Sequence, residues 1–298
     1  ASDLGFVVGP RLNAAGRLTD MSLGIECLLT DDPVRALEIA RQLHDLNRER
    51  RQIQQDMEST ALETIGEDLD PDDDSLSAGI CLYDPGWHQG VVGILASRIK
   101  ERVHRPVIVF APDRDGIIKG SGRSISGIHI RDVLEAIAAR HPSMIEKFGG
   151  HAMAAGLTLR EAVLPEFQDE FNAEIMKQAD PDQLRGTVVT DGSLQAEDIN
   201  LPLARAIRAG GPWGQGFPEP LFRGEFEILD RRIVGEHHLR LTLRPDGSRM
   251  SVAAIAFNTT DRDWPDDSSR LFAAYRLDVN EFNGRTSAQL CLEHIELC

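Results

Sequence analysis

Apolar residues recur at helical spacing from Ile39 through Leu43, Leu46, Ile53 and Met57 to Leu62 and Ile65. That stripe predicts one long helix over 33–65. Its start is marked by Asp31-Asp32-Pro33, an acidic cap with proline at the first helical position, and its end by Gly66. Arg48, Glu49, Arg50 and Arg51 crowd its middle. So long and so polar a helix suits a connector between domains better than a buried core element.

From Ser77 the pattern alternates. Ile80-Cys81-Leu82-Tyr83 reads as a strand closed by the turn Asp84-Pro85-Gly86, followed by a helix over 91–103 and a strand at 107–110. A turn at 113–116 leads to a strand through Ile117-Ile118. Ile130, Val133, Leu134 and Ile137 mark another helix, Leu157-Thr158-Leu159 another strand, and Phe167 and Phe171 a closing helix that ends near Gln178. Strands alternating with helices predict an α/β domain. After Pro181 the composition turns β-like, with strands at 188–189, 226–229, 239–243, 252–257 and 271–277 and tight turns at Pro245-Asp246-Gly247 and Asn283-Gly284. Short strands at this density fit a small barrel, an OB-fold before other choices.

Bulk properties narrow the classes. The 298 residues are enough for two domains, 41% hydrophobic and 27% charged content is that of globular protein, and no apolar run is long enough to span a membrane. The chain opens on Ala1 without a signal-peptide pattern or an initiator methionine and is expected to be a piece of a longer protein. Cys27, Cys81, Cys291 and Cys298 form no C-x-x-C pair, so idle thiols in a reducing cytoplasm are expected rather than a disulfide frame or a zinc site.

The net charge of −16 counts at first against nucleic acid. Its distribution counts the other way. Between Arg98 and Arg131 eight basic residues face three acidic ones, a net of +5, while acid collects in the run Glu67-Asp68-Leu69-Asp70-Pro71-Asp72-Asp73-Asp74, read as a solvated linker. The basic window reads alternatively as a solvated helix face.

Four clusters carry candidate chemistry. Gly9-Pro10-Arg11-Leu12-Asn13-Ala14-Ala15-Gly16-Arg17 combines small residues, which let backbone amides approach a ligand, with arginine forks for phosphate; it reads equally as a tight turn before a helix. Lys119-Gly120-Ser121-Gly122-Arg123-Ser124 could cradle a phosphate at a strand end, or be an ordinary loop. Gly149-Gly150-His151, within a run of small residues to Gly156, permits a backbone nest aimed at an anion, with His151 as hydrogen-bond donor or charge-switching group. His88, in Trp87-His88-Gln89-Gly90 ahead of the helix at 91, could meet phosphate at that helix N-terminus or simply cap it. No P-loop, dinucleotide fingerprint, G-x-S-x-G elbow or H-E-x-x-H pair is present.

In order, GPRLNAAGR (9–17), WHQGVVGILASR (87–98), GSGRS (120–124), GGHAMAAG (149–156) and GPWGQGFPEP (211–220) resemble the RecJ family, bacterial exonucleases of the DHH phosphoesterase superfamily that digest single-stranded DNA from 5′ to 3′. The resemblance covers almost the whole chain. It implies the tail of a DHH domain at 1–32, a connector helix at 33–70, a DHH-associated α/β domain at 75–178 and an all-β OB-fold barrel at 184–298. It also implies phosphate contacts from Ser121, Arg123, Ser124, Gly149, Gly150 and His151, the last as catalytic residue, with Arg11 near the cleft between two lobes. Trp213, Phe217 and Phe222 would stack on the strand, with core packing expected for at least one of the three.

Nothing in the chain matches the Asp-His-His signature, and His237-His238 follows Glu236 in a predicted strand region, so the Mn2+ or Mg2+ ligands are expected outside this chain. The chain alone would bind single strands weakly and hydrolyse nothing. The implied setting is cytoplasmic DNA repair and recombination, with single-stranded DNA and single-strand-binding protein as partners and no membrane. Two other readings stay open: a different DHH phosphoesterase, such as an oligoribonuclease or nucleotide phosphatase, and a non-catalytic single-strand nucleic-acid-binding subunit.

Overall fold

The computed structural model describes residues 3–65, 76–214, 216–235, 238–257, 259 and 269–297. The acidic run 67–74 and the residues Glu236 and His237 lie outside the described residues. The chain divides into two compact units, 1–186 and 187–298. The segments expected as 1–32, 33–70 and 75–178 all fall in the first.

In the first unit a π-helical turn, Asp3–Val8, runs into helix α1 (Gly9–Leu18), so GPRLNAAGR is helix and not the tight turn that was its alternative reading. Helix α2 (Ser22–Leu29) follows, and then α3 (Pro33–Ile65). Asp32 caps α3 by accepting from the Val34 amide at 2.9 Å, which the Asp-Pro pair led us to expect. Ile39 and Leu43 of α3 close a small core with Ala15 of α1.

The sheet of this unit runs β1 (Ile80–Tyr83), β2 (Val107–Pro112), β3 (Ile117–Arg123), β5 (Ala154–Arg160), β4 (Lys147–Gly150) in spatial order. Only β1 and β2 are parallel. Helices α5 (Ile130–Arg140) and α6 (Leu164–Gln178) cover one face, where Phe110 meets Phe167 edge-on at 5.8 Å and Phe167 stacks on Phe171 at 6.0 Å. Each of these rings is fully buried, stabilising the fold by about 1.5–3 kcal/mol. On the opposite face α4 (Val92–Val103) packs through Val92, Leu95, Ala96 and Ile99 onto Ile80, Leu82, Val107 and Val109, with Met57 and Ala61 of α3 against it.

The second unit opens with irregular chain. Val188 and Val189 form no strand and are exposed, a correction to the sequence reading: β-branched residues alone do not make a strand without a partner. Helix α7 (Leu201–Gly210), capped by Asn200 accepting from the Leu203 amide at 2.9 Å, packs Ala204 and Ile207 onto the barrel core. Five strands then close a barrel: β6 (Phe222–Val234), β7 (His238–Pro245), β8 (Val252–Phe257), β9 (Arg270–Phe282) and β10 (Arg285–Leu297). Their order, β6-β7-β8-β10-β9 and back to β6, with β8 and β10 parallel, is the OB-fold connection. The Asn283-Gly284 turn has φ of 49° and 74°, the left-handed pair a tight hairpin needs.

Candidate functional site

The glycine-rich segments expected as loops are strands, and this sets the geometry of the first unit. Gly120, Ser121, Gly122 and Arg123 lie within β3. Gly120 and Gly122 face the core, where an added Cβ would come within 2.5 Å of Phe110 and of Ile130 respectively. They are glycines because of what packs beneath them, and they cradle nothing. The intervening Ser121 and Arg123 point to the opposite face, following the alternation of a strand.

On that opposite face α4 covers β1, β2 and part of β3, and β5 and β4 continue beyond it. Cα partners across the sheet share a face, so Ser121, Gly156 and Gly149 form one row over three strands. Both glycines are exposed; a Cβ at Gly149 would meet nothing within 4 Å. The row is bare backbone beside a hydroxyl and a guanidinium.

The Gly149-Gly150 segment is likewise the end of β4 and not an open nest. Gly150 has φ of 147°, and an added Cβ would overlap Ala154 and Ala155. The hairpin closes as the His151 amide donates to the Ala154 carbonyl at 2.8 Å, which leaves the His151 side chain exposed at the tip.

Arg123 donates to Ser121 Oγ at 3.1 Å and to the Gly122 carbonyl at 2.8 Å. Gly93 of α4 lies over the pair: a Cβ there would stand 3.0 Å from Arg123 Nη2 and 3.0 Å from Ser121 Oγ. Just ahead of α4, Gly90 accepts from Arg17 Nη1 at 3.3 Å, which brings the end of α1 to the same place. Burial, and then the charge of Arg17, hold the Arg123 guanidinium below its ordinary pKa. Burial also lowers Arg50 of α3, followed by the charges of Arg51, Arg17 and Arg98. Arginines of four elements thus act on one another: Arg17 from α1, Arg50 and Arg51 from α3, Arg98 from α4 and Arg123 from β3. Among the described residues none of Arg17, Arg50, Arg98 and Arg123 has a carboxylate within ion-pair distance.

The structure does not bring every predicted residue to this cluster. Ser124 is buried; its hydroxyl donates to the Ile128 carbonyl at 2.6 Å and its amide to the Met153 carbonyl at 3.0 Å, so it has no donor left for a phosphate. Arg11 donates to the Val7 carbonyl at 2.6 Å and meets His44 Nδ1 at 3.2 Å, away from β3. His88 Nδ1 accepts from the Gly90 amide at 3.0 Å in the turn ahead of α4; it does not cap the helix, whose N-cap residue is Val91 without a side-chain cap bond. Arg17, Arg50 and Arg98 were missed as site residues. The first and third end the motifs at 9–17 and 87–98, a usable signal; Arg50 is hidden in a charged helix and has none.

In the second unit Trp213 is half-buried, with its indole donating to the Ile207 carbonyl at 3.2 Å, and Phe217 is exposed 4.8 Å from it. Phe222 packs toward Tyr275 at 6.1 Å in the barrel core. The barrel's outward face over β6, β7 and β8 sets Arg232 opposite Arg240, and the His238 ring edge-on to exposed Phe257 at 5.1 Å.

Among the described residues no group of three His, Cys, Asp or Glu side chains is placed to hold a metal ion. These residues do not fit a divalent metal centre. No helix among them is long and apolar enough to cross a membrane.

Comparison with known proteins gives a consistent picture. The DHHA1 domain family matches residues 76–177 and the RecJ OB domain family residues 190–294. The α/β domain with an OB barrel after it, expected from the motifs, is what both matches and the strand order describe. The single-stranded-DNA-specific exonucleases RecJ of Dickeya dadantii and Escherichia coli are 53% and 51% identical over 296 residues, 99% of this chain and 51% of theirs. The chain therefore spans about half the length of the curated relatives it matches. The crystal structure of RecJ from Thermus thermophilus in complex with Mg2+ aligns over 99% of this chain and 43% of its own, with a TM-score of 0.78 and 30% identity; a second from the same organism is in complex with Mn2+.

Proposed function

The chain belongs to the RecJ family, and we propose that it is the substrate-gripping part of a metal-dependent exonuclease that digests single-stranded DNA from the 5′ end. The observation that carries this reading is Arg123 donating to Ser121 beneath Gly93 of α4, with Arg17 held at Gly90 just ahead of that helix, beside the bare row of Gly156 and Gly149. Guanidinium forks without a carboxylate partner suit phosphate, and a sheet without side chains lets a nucleotide lie close to the backbone. Arg123 and Ser121 bind and orient the phosphate, Arg17 neutralises it, and His151 at the hairpin tip reaches the reacting end as a donor. In the second unit the outward face of the barrel, with Arg232, Arg240 and Phe257, and the exposed Phe217 are a separate contact surface for a single strand.

Mn2+ or Mg2+, assigned to ligands on the part of the relatives' length that this chain does not span, supplies the activation of water when bound. Names of relatives that specify single-stranded DNA favour this reading over an oligoribonuclease, a nucleotide phosphatase or a non-catalytic subunit. The setting is cytoplasmic DNA repair and recombination, with single-strand-binding protein as a partner.

Incubating the purified chain with manganese and a labelled single strand tests the division of labour. Weak binding without hydrolysis is expected; robust manganese-dependent cleavage overturns it.

A further inference from the structure

The cluster holds more cationic charge than one phosphate calls for. Ser121 and Arg123, with the charge of Arg17 acting on them, suffice for a single anion. Arg50 and Arg98 stand on α3 and α4, helices that pack against each other, and Arg50 feels the charges of both Arg17 and Arg98. Position 50 falls on the α3 stripe that continues through Ile53 and Met57 to Ala61, the stripe that packs on Leu95 and Ile99 of α4. Arg98 follows Leu95 by one helical turn and stands exposed at the rim of that contact. Arg50 is aimed by neutral acceptors: its guanidinium donates to Asn47 Oδ1 at 2.9 Å and Gln54 Oε1 at 2.8 Å. Asn47 is itself buried, a polar side chain kept on an apolar stripe where it orients the arginine.

Neutral acceptors fix a guanidinium without neutralising it. Cations gathered this closely, one of them half-buried, oppose folding unless an anion compensates them. A mononucleotide brings one phosphate; a strand brings several in a row.

We propose that Arg50 and Arg98 form a second phosphate subsite, one internucleotide step along the strand from the subsite of Ser121 and Arg123, with the charge of Arg17 acting on both. The inference rests on the reading of Ser121 and Arg123 as the first subsite. It adds a specificity: the first unit recognises a strand end by two consecutive phosphates and so prefers an oligonucleotide to a mononucleotide.

Calorimetric titration of the 298-residue chain with 5′-thymidylate and with the 5′-phosphorylated thymidine dinucleotide reads both subsites. The parent chain should bind the dinucleotide more tightly. The double variant Arg50→Gln/Arg98→Gln should bind the mononucleotide within about twofold of the parent and lose about tenfold for the dinucleotide, as expected for charge-assisted contacts. Arg123→Gln should weaken both ligands. Equal weakening of both by the double variant, or of neither, overturns the second subsite. A parent chain that binds the mononucleotide and gains nothing from a second phosphate overturns this inference alone, and one that binds neither ligand overturns the first subsite as well. Melting temperature separates binding from structure: removing mutually repelling charges should leave it level or raise it, whereas a drop marks Arg50 as structural. Arg98→Gln alone, at an exposed position, should carry part of the dinucleotide loss whatever the double variant does to folding.

Discussion

The main chain of Arg17 lies so close against Gly90 that a Cβ at Gly90 would overlap the Arg17 carbonyl, while the Arg17 guanidinium donates back to the Gly90 carbonyl at 3.3 Å. This contact sets the end of α1 against the start of α4 and so places Arg17 by Arg123. Gly90→Ala should cost about 1–3 kcal/mol of stability, because backbone and not a flexible side chain must move. Urea unfolding measures this; a stability equal to the parent's would mean that the contact relaxes freely.

The two glycines of the hairpin should behave differently. Gly150→Ala forces a side chain into a left-handed conformation with a clash behind it, and should lower stability by about 1–3 kcal/mol. Gly149→Ala adds a methyl to open space and should change stability by less than about 0.5 kcal/mol. If the bare row receives a nucleotide, Gly149→Ala nevertheless weakens oligonucleotide binding. Thermal melts and anisotropy titrations of the two variants separate these effects.

His151 is exposed at the hairpin tip. In a full-length relative, its replacement by alanine should cut turnover strongly while leaving metal binding and melting temperature intact. Unchanged turnover would reduce His151 to a hairpin-tip residue.

Acid should act on the first unit through Glu174. Burial raises its pKa, but the hydrogen bond from Gln178 and the ion pair with Arg140 at 2.8 Å outweigh burial and hold the carboxyl below its ordinary 4.5. A depressed carboxylate contributes stability that is present above pH 4.5 and lost as pH falls through the lower folded value. Glu174→Gln should therefore flatten the acid side of the stability curve below pH 4.5 and leave its slope near neutrality unchanged. Denaturant midpoints taken across that window give the slope directly.

Long periodic elements were legible because burial wrote them into the chain: α3 begins at Pro33 after its Asp32 cap, and β7 and β8 cover the apolar alternations at 239–243 and 252–257. Glycine hid the rest. Gly120, Gly122, Gly149 and Gly150 read as loops because glycine weakens a strand, yet here close packing and a bare surface require it. The strand β10 was missed because a bulge at Leu292/His294 breaks its alternation, shifting the inward set from Ala288, Leu290 and Leu292 to Ile295. The motifs located Ser121 and Arg123, but no spacing rule could gather Arg17, Arg50 and Arg98, since only the packing of α1 and α3 against α4 brings them together.

The most direct test of the account is fluorescence anisotropy of the chain with a short single strand carrying a 5′-phosphate, compared between the parent and Arg17→Gln/Arg123→Gln. The account predicts a loss of about tenfold or more in affinity at low salt, and a shallower dependence on salt because fewer phosphate contacts remain. Equal affinity and an equal salt slope in the two proteins would contradict it.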